Sequence, residues 1–134
     1  MKTKKLISFF LALTLLFAVI ALPISAVTPR WTNVDYIFLH HYYSDGVAKV
    51  AVRIVGAAGT TLIDDVDIKL YRVVDGILVL EGWWLNLSQT GDEFELIDEV
   101  DNVLTNAVYR LVVSADVHRN GVVETVSDYY ETNY

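Results

Sequence analysis

VYRLVVSADVHRNGVVETVSDYY (residues 108–130) decides the fold. From Val108 to His118 every second residue is apolar: Tyr109, Leu111, Val113, Ala115 and Val117 fall on one side of an extended chain. That is the period of a half-buried β-strand, and no helix places those five on one face. Asn120-Gly121 follows, the strongest short hairpin signal, because both residues tolerate the positive φ that a two-residue turn requires. Val122 to Tyr130 then returns as the partner strand. One antiparallel hairpin with one oily face must pack that face on another sheet.

The same period recurs upstream. Val34 to Tyr43 reads as a strand rich in aromatic and β-branched residues, ended by Ser44-Asp45-Gly46. Lys49 to Val55 sends Val50, Val52 and Ile54 one way and Lys49 and Arg53 the other. Beyond a flexible Gly56–Gly59 connection, Leu62 to Val74 alternates Val66, Ile68 and Leu70 with Asp65, Asp67 and Lys69. Asp75-Gly76 marks a tight turn into Ile77–Leu87, which is too apolar to show one face. Phe94 to Val100 is a short acidic strand, and Asp101–Ala107 a corner. About seven strands at this spacing predict an all-β fold, a single antiparallel β-sandwich over residues 27–134.

Residues 1–26 have a different character. Lys2, Lys4 and Lys5 precede an apolar run from Leu6 to Leu22; Pro23 and the small residues Ser25 and Ala26 end it. These are the parts of a secretory signal peptide, with cleavage expected between Ala26 and Val27. The other reading is a retained anchor, although the run is short for a spanning helix. Either way, membrane contact is expected only through this segment, and the domain is expected to be secreted and extracellular. The full chain's mean hydropathy of +0.39 owes much to it.

Without residues 1–26, seven Lys and Arg face 17 Asp and Glu, ten more carboxylates than cations. Such a surface repels phosphate backbones and anionic lipid, so no nucleic-acid partner is expected. The chain has no cysteine. That speaks for a Gram-positive exporter over a disulfide-stapled eukaryotic domain, and against a lipid anchor. A polar carboxyl end without a sorting motif implies release.

Candidate chemistry is sparse. Asp92, Glu93, Glu95, Asp98, Glu99 and Asp101, with Asp64, Asp65 and Asp67, could bind calcium, but no EF-hand spacing is present and alternation suits a solvated acidic face. A glycosidase needs two carboxylates across a cleft, and so short a sandwich has little chain to build one. His40 and His41 are adjacent on a strand and point to opposite faces, which suits no shared metal; His118 lies beside a turn. No metal, cofactor or catalytic residue is expected, and the chain reads as a non-enzyme. The pairs Trp83-Trp84, Tyr42-Tyr43 and Tyr129-Tyr130 are the candidate binding surface. In each pair one ring is expected outside and one inside. An outward ring either stacks a sugar or anchors a peptide, or it merely covers the sheet.

Leu104, Tyr109, Leu111, Val113, Ala115, Gly121 and Ser127 resemble the last two strands of fibronectin type III and immunoglobulin-like domains. The resemblance implies that Tyr109 caps the preceding corner through its hydroxyl. The usual proline of that corner and the usual early tryptophan of the second strand are missing. The mature chain also resembles a group of small secreted Gram-positive proteins. Pro29-Arg30-Trp31-Thr32-Asn33, Leu70, Gly76, Trp83 or Trp84, Tyr109-Arg110, Gly121 and Glu124 carry that likeness. It implies export and an all-β fold, and brings no activity. The expected function is therefore an extracellular binding or interaction module for a glycan or a protein. A structural or self-associating surface protein is the alternative, and a small glycan hydrolase a remote one.

Overall fold

The computed structural model describes residues 30–134; the expected signal peptide, residues 1–26, and its expected Ala26–Val27 cleavage position lie outside the described residues. Seven antiparallel strands follow one another: β1 (Val34–Ser44), β2 (Val47–Gly56), β3 (Thr60–Val74), β4 (Ile77–Thr90), β5 (Glu93–Val100), β6 (Val108–Arg119) and β7 (Val122–Asn133). They form two sheets, one ordered β1-β2-β5 and the other β4-β3-β6-β7. The fold is an all-β sandwich, as the alternation predicts. Among the described residues no helix is long and apolar enough to cross a membrane.

Three hairpins within the sheets close through Asp45-Gly46, Asp75-Gly76 and Asn120-Gly121, and all six residues have φ between 50° and 80°. That left-handed pair matches the right-handed twist of the strands it joins. The other connections, β2 to β3, β4 to β5 and β5 to β6, cross from one sheet to the other.

The core is the inner half of each alternation. Val50, Val52 and Ile54 from β2 meet Ile63, Val66, Ile68 and Leu70 from β3 and Tyr109, Leu111, Val113, Ala115 and Val117 from β6. All twelve are at most 1% exposed. Burying each larger aliphatic side chain contributes about 1.5–3 kcal/mol before chain entropy is set against it. A bulge at Asp64–Asp65, with Asp65 at φ 45°, lets Ile63 and Val66 both face inward.

The seams between the sheets are held by specific polar contacts. At the β4–β5 seam Trp84 Nε1 donates to Asp98 Oδ2 at 2.7 Å. Gly82 admits Val100 here, since a Cβ at residue 82 would lie 2.6 Å from a Val100 methyl. At the β1–β7 seam the buried His41 donates from Nε2 to the Tyr130 carbonyl, so its Nδ1 accepts from the Tyr43 hydroxyl. Burial holds the His41 pKa below the ordinary value, with His40 adding to the effect against the Tyr130 hydrogen bond.

The chain ahead of β1 is tied to the β6–β7 end. Thr32 and Asn33 donate backbone N–H groups to the Glu124 carboxylate, and Asn33 Nδ2 donates to the carbonyls of Val117 and Val122. The segment around Trp31 and the Gly121–Glu124 hairpin, remote in sequence, thus meet in space. Tyr109 lies wholly inside, and its hydroxyl accepts the Leu104 N–H at 2.7 Å and donates to the Leu104 carbonyl at 3.0 Å. It closes the β5–β6 corner.

Candidate functional site

The outward half of β1 is an aromatic stripe. Tyr36, Phe38, His40 and Tyr42 alternate with the inward Ile37, Leu39, His41 and Tyr43. Tyr36, Phe38 and Tyr42 are 45–51% exposed. Successive rings lie close: Phe38 to His40 is 6.1 Å between centroids and His40 to Tyr42 is 5.9 Å. Residues two apart on a strand sit about 6.6 Å apart along it, so period two alone lines the rings up.

Registers across the three-stranded sheet place this stripe beside its neighbours. Phe38 pairs with Arg53 and Arg53 with Glu95; His40 pairs with Ala51 and Ala51 with Ile97. Paired residues share a face. Ala51 is the short side chain in the middle, and the taller Tyr36 and Phe38 stand on one side of it with Ile97 on the other. The result is a groove of about 320 Å³, lined by Tyr36, Phe38, Ala51, Arg53, Glu95 and Ile97. That is the lower end of the range for small-ligand sites.

The groove is apolar along its length with charge at one side. Arg53 Nε donates to Glu93 Oε1 at 2.8 Å. This hydrogen bond holds the Glu93 carboxyl below the usual carboxylate range and raises the Arg53 guanidinium. Both groups are therefore charged at neutral pH and lie on the surface. At the far end Lys49 sits over the Tyr42 ring at 5.8 Å and pairs with Glu99. An apolar trough edged by fixed donors and acceptors can stack a ring and hydrogen-bond its substituents.

The paired aromatics predicted from sequence do not form one surface. Tyr42 belongs to the stripe, whereas Tyr43 turns inward against Tyr109 and Tyr134 at 4.9 and 4.8 Å. Trp83 is 59% exposed on the outer face of the four-stranded sheet. Trp84 faces the other way but is only half-buried, because it caps the β4–β5 seam. Neither tryptophan is a full core residue. Tyr129 is exposed beneath the Arg110 guanidinium at 4.8 Å. Tyr130 is also exposed, at 40%, against the expectation of one ring inside. It lies on an edge strand, where the inward direction leads to the open seam and the rings of His40 and His41.

Tyr36, Phe38 and Ile97 lie outside the aromatic pairs that the sequence offers as a binding surface. The alternation of Val34–Tyr43 carries the signal for Tyr36 and Phe38, whereas Ile97 joins them through the β2–β5 register. The acidic residues separate as well. Glu93, Glu95 and Glu99 point outward on β5, and Asp98 meets Trp84. Among the described residues one trio, Asp64, Asp65 and Asp116, gathers within 4.8 Å, with Asp64 bonded to His118 and Asp116 to Thr125. His40, His41 and His118 go to three different places.

No family model and no curated protein matches this sequence. Among solved structures the sandwich is similar to part of a β-glucuronidase from Parabacteroides merdae, at 14% identity over 72% of this chain and 13% of that one, TM-score 0.45. It is also similar to Spo0M, a sporulation control protein from Bacillus subtilis, at 12% identity over 78% of this chain and 51% of that one, TM-score 0.40. The chain thus spans a small part of the first and about half of the second, and neither neighbour's activity transfers to it.

Proposed function

We propose that this chain is an exported, non-enzymatic binding module that seats an extracellular glycan on the outer face of its three-stranded sheet. The observation that carries the reading is the groove over Ala51, flanked by Tyr36, Phe38 and Ile97 and continued by His40 and Tyr42. Soluble domains do not ordinarily align exposed rings beside an open trough unless something covers them. Aromatic faces with charged hydrogen-bonding groups beside them suit a sugar ring, which has an apolar face and polar edges. A protein ligand anchored by one apolar side chain is the nearest rival.

Export is supported by the cationic start, the apolar Leu6–Leu22 run and the small residues before Val27. An immunoglobulin or fibronectin type III relationship is supported by the strand order, β1-β2-β5 against β4-β3-β6-β7, and by the tyrosine at the β5–β6 corner. Membership in the group of small secreted Gram-positive proteins rests on the residues that carry that likeness, among them Pro29-Arg30-Trp31-Thr32-Asn33, Tyr109-Arg110, Gly121 and Glu124.

The test is retention on purified cell-wall polysaccharide. Phe38→Ala removes an exposed ring and should leave the melting temperature unchanged while lowering retention about tenfold, the effect of losing one good stacking contact. Undiminished retention by a folded Phe38→Ala, together with undiminished retention by Tyr36→Ala, overturns the groove as the site.

A further inference from the structure

The outer face of the three-stranded sheet is a grid of four rows. Tyr36, Val55 and Glu93 form the first; Phe38, Arg53 and Glu95 the second. His40, Ala51 and Ile97 form the third; Tyr42, Lys49 and Glu99 the fourth. β1 supplies the rings, β2 the cations and β5 the carboxylates. Period two produces this sorting, because each strand gives the face only its own alternate residues.

The charges on this face do not cancel. Lys49 and Arg53 are the only Lys or Arg of β1, β2 and β5. Lys49 pairs with Glu99, and Arg53 pairs with Glu93, one row away from its direct neighbour Glu95. The Glu93 hydrogen bond is the chief reason the Arg53 guanidinium is raised, and Glu95 is the smallest cause. Among the described residues Glu95 has no ion-pair partner. Asp35, exposed at the bulge before Tyr36, adds a further carboxylate at that end. Both cations are thus engaged, and a carboxylate on the groove wall is left over.

The rings lean the same way. Lys49 covers Tyr42 at 5.8 Å, and among the described residues no cation stacks on Tyr36 or Phe38. The open face of an aromatic ring carries negative charge density and attracts cations.

We infer that the groove selects sugars that carry a protonated amino group, with the sugar stacked on Phe38 and its ammonium turned to Glu95. This rests on the glycan reading of the groove and names the class of glycan. β1 and β5 stand two strand spacings apart, about 9.6 Å, so a sugar stacked on one wall turns its far edge to the other. An N-acetylated sugar offers that edge a neutral amide. A uronic acid or a phosphate brings a second anion to Glu95 and finds both cations held by other carboxylates. An amino sugar makes a charge-assisted hydrogen bond instead. The acid excess of residues 27–134, 17 Asp and Glu against seven Lys and Arg, adds to the preference at longer range.

Charge alone draws any polycation to so acidic a domain, so the test uses short ligands and a charge control. β-1,4-linked tetramers of glucosamine and of N-acetylglucosamine are titrated into isotopically labelled residues 27–134, which contain the entire sandwich. The buffer is at about 0.15 M salt and about pH 6.5, below the usual range of amines. Backbone amide shifts are followed at residues 36–38 and 95–97. The glucosamine tetramer should bind about five- to tenfold more tightly than the acetylated one. Glu95→Gln keeps the length of the side chain; it should leave the melting temperature unchanged and cut the preference to about twofold. Asp75→Asn removes the same charge from the β3–β4 turn, where Asn accepts the same positive φ, and should leave the preference intact. Equal affinity for the two tetramers overturns the amino-sugar inference and leaves the glycan reading standing. A preference that Asp75→Asn lowers as much as Glu95→Gln does the same. Shifts with neither tetramer overturn both.

Discussion

The two outer faces of this sandwich come from the same rule and end up as different objects. Each sheet sends every second side chain to solvent, and each exposes large apolar residues. On the three-stranded sheet Ala51 lies between tall neighbours, so the face is a trough with charged groups at its side. On the four-stranded sheet Trp83, Leu80 and Leu78 stand on an edge strand, with long side chains across the middle, so the face is broad, and its carboxylates Asp64, Asp65 and Asp116 gather at one end. Exposed apolar area does not distinguish them. Side-chain height and the placing of charge do, and they separate the proposed ligand groove from the broad face opposite.

The largest expected effect sharpens the difference between outside and seam. Trp84→Ala should cost about 2–3 kcal/mol, less than for a fully buried tryptophan, because it removes the ring and the Asp98 hydrogen bond that close the β4–β5 seam. Trp83→Ala should stay within about 0.5 kcal/mol. Equilibrium denaturation of both variants measures this, and equal losses would mean that the outer face is packed in a way the rows do not show.

Next is the trough itself. Ala51→Leu fills the groove from its floor without touching the core, and should abolish retention on wall polysaccharide with little change in the unfolding midpoint.

Tyr109→Phe keeps the ring and removes the hydroxyl that both accepts from and donates to Leu104. It should cost about 1 kcal/mol, leaving both outer faces intact. An unchanged denaturation midpoint would mean that water replaces the hydroxyl at the corner.

Smaller still is the pH dependence of the β1–β7 seam. His41 is neutral in the folded protein, and its pKa is lowered chiefly by burial. Below about pH 6.5 the unfolded chain takes up a proton that the folded chain resists. The His41 contribution is therefore complete above that pH and is lost as pH falls from there through the lowered folded value. The protonated ring could no longer accept from Tyr43. Midpoints measured from pH 7.5 to pH 5 should fall more steeply for the wild type than for His41→Gln; parallel curves would contradict this.

Much of this architecture is legible in the sequence, and the reasons are local. Asp75-Gly76 and Asn120-Gly121 announce their turns because few other residue pairs accept two positive φ angles. Val50, Val52, Ile54, Ile68, Leu70 and the alternate residues of β6 announce their faces through period two. The outer rows are not legible, because they depend on register. Bulges between Asp64 and Asp67, and again between Leu70 and Tyr71, shift the pairing, and no local pattern counts those extra residues. Trp83 and Tyr129 therefore share a row that the sequence does not reveal. The groove falls between the two cases: the stripe of Tyr36, Phe38, His40 and Tyr42 is readable, whereas its partner Ile97 requires the β2–β5 register. Tyr130 departs from simple alternation because the seam, unlike the core, has room for solvent.

The most direct test of the central claim is a titration of isotopically labelled residues 27–134 with soluble cell-wall oligosaccharide, followed by backbone amide shifts. The account predicts that the shifts gather at residues 36–38, 51–53 and 95–97, with residues 69–73 and 110–112 unmoved. Shifts centred on Trp83, Lys69 and Tyr129 would contradict it and move the ligand to the four-stranded sheet.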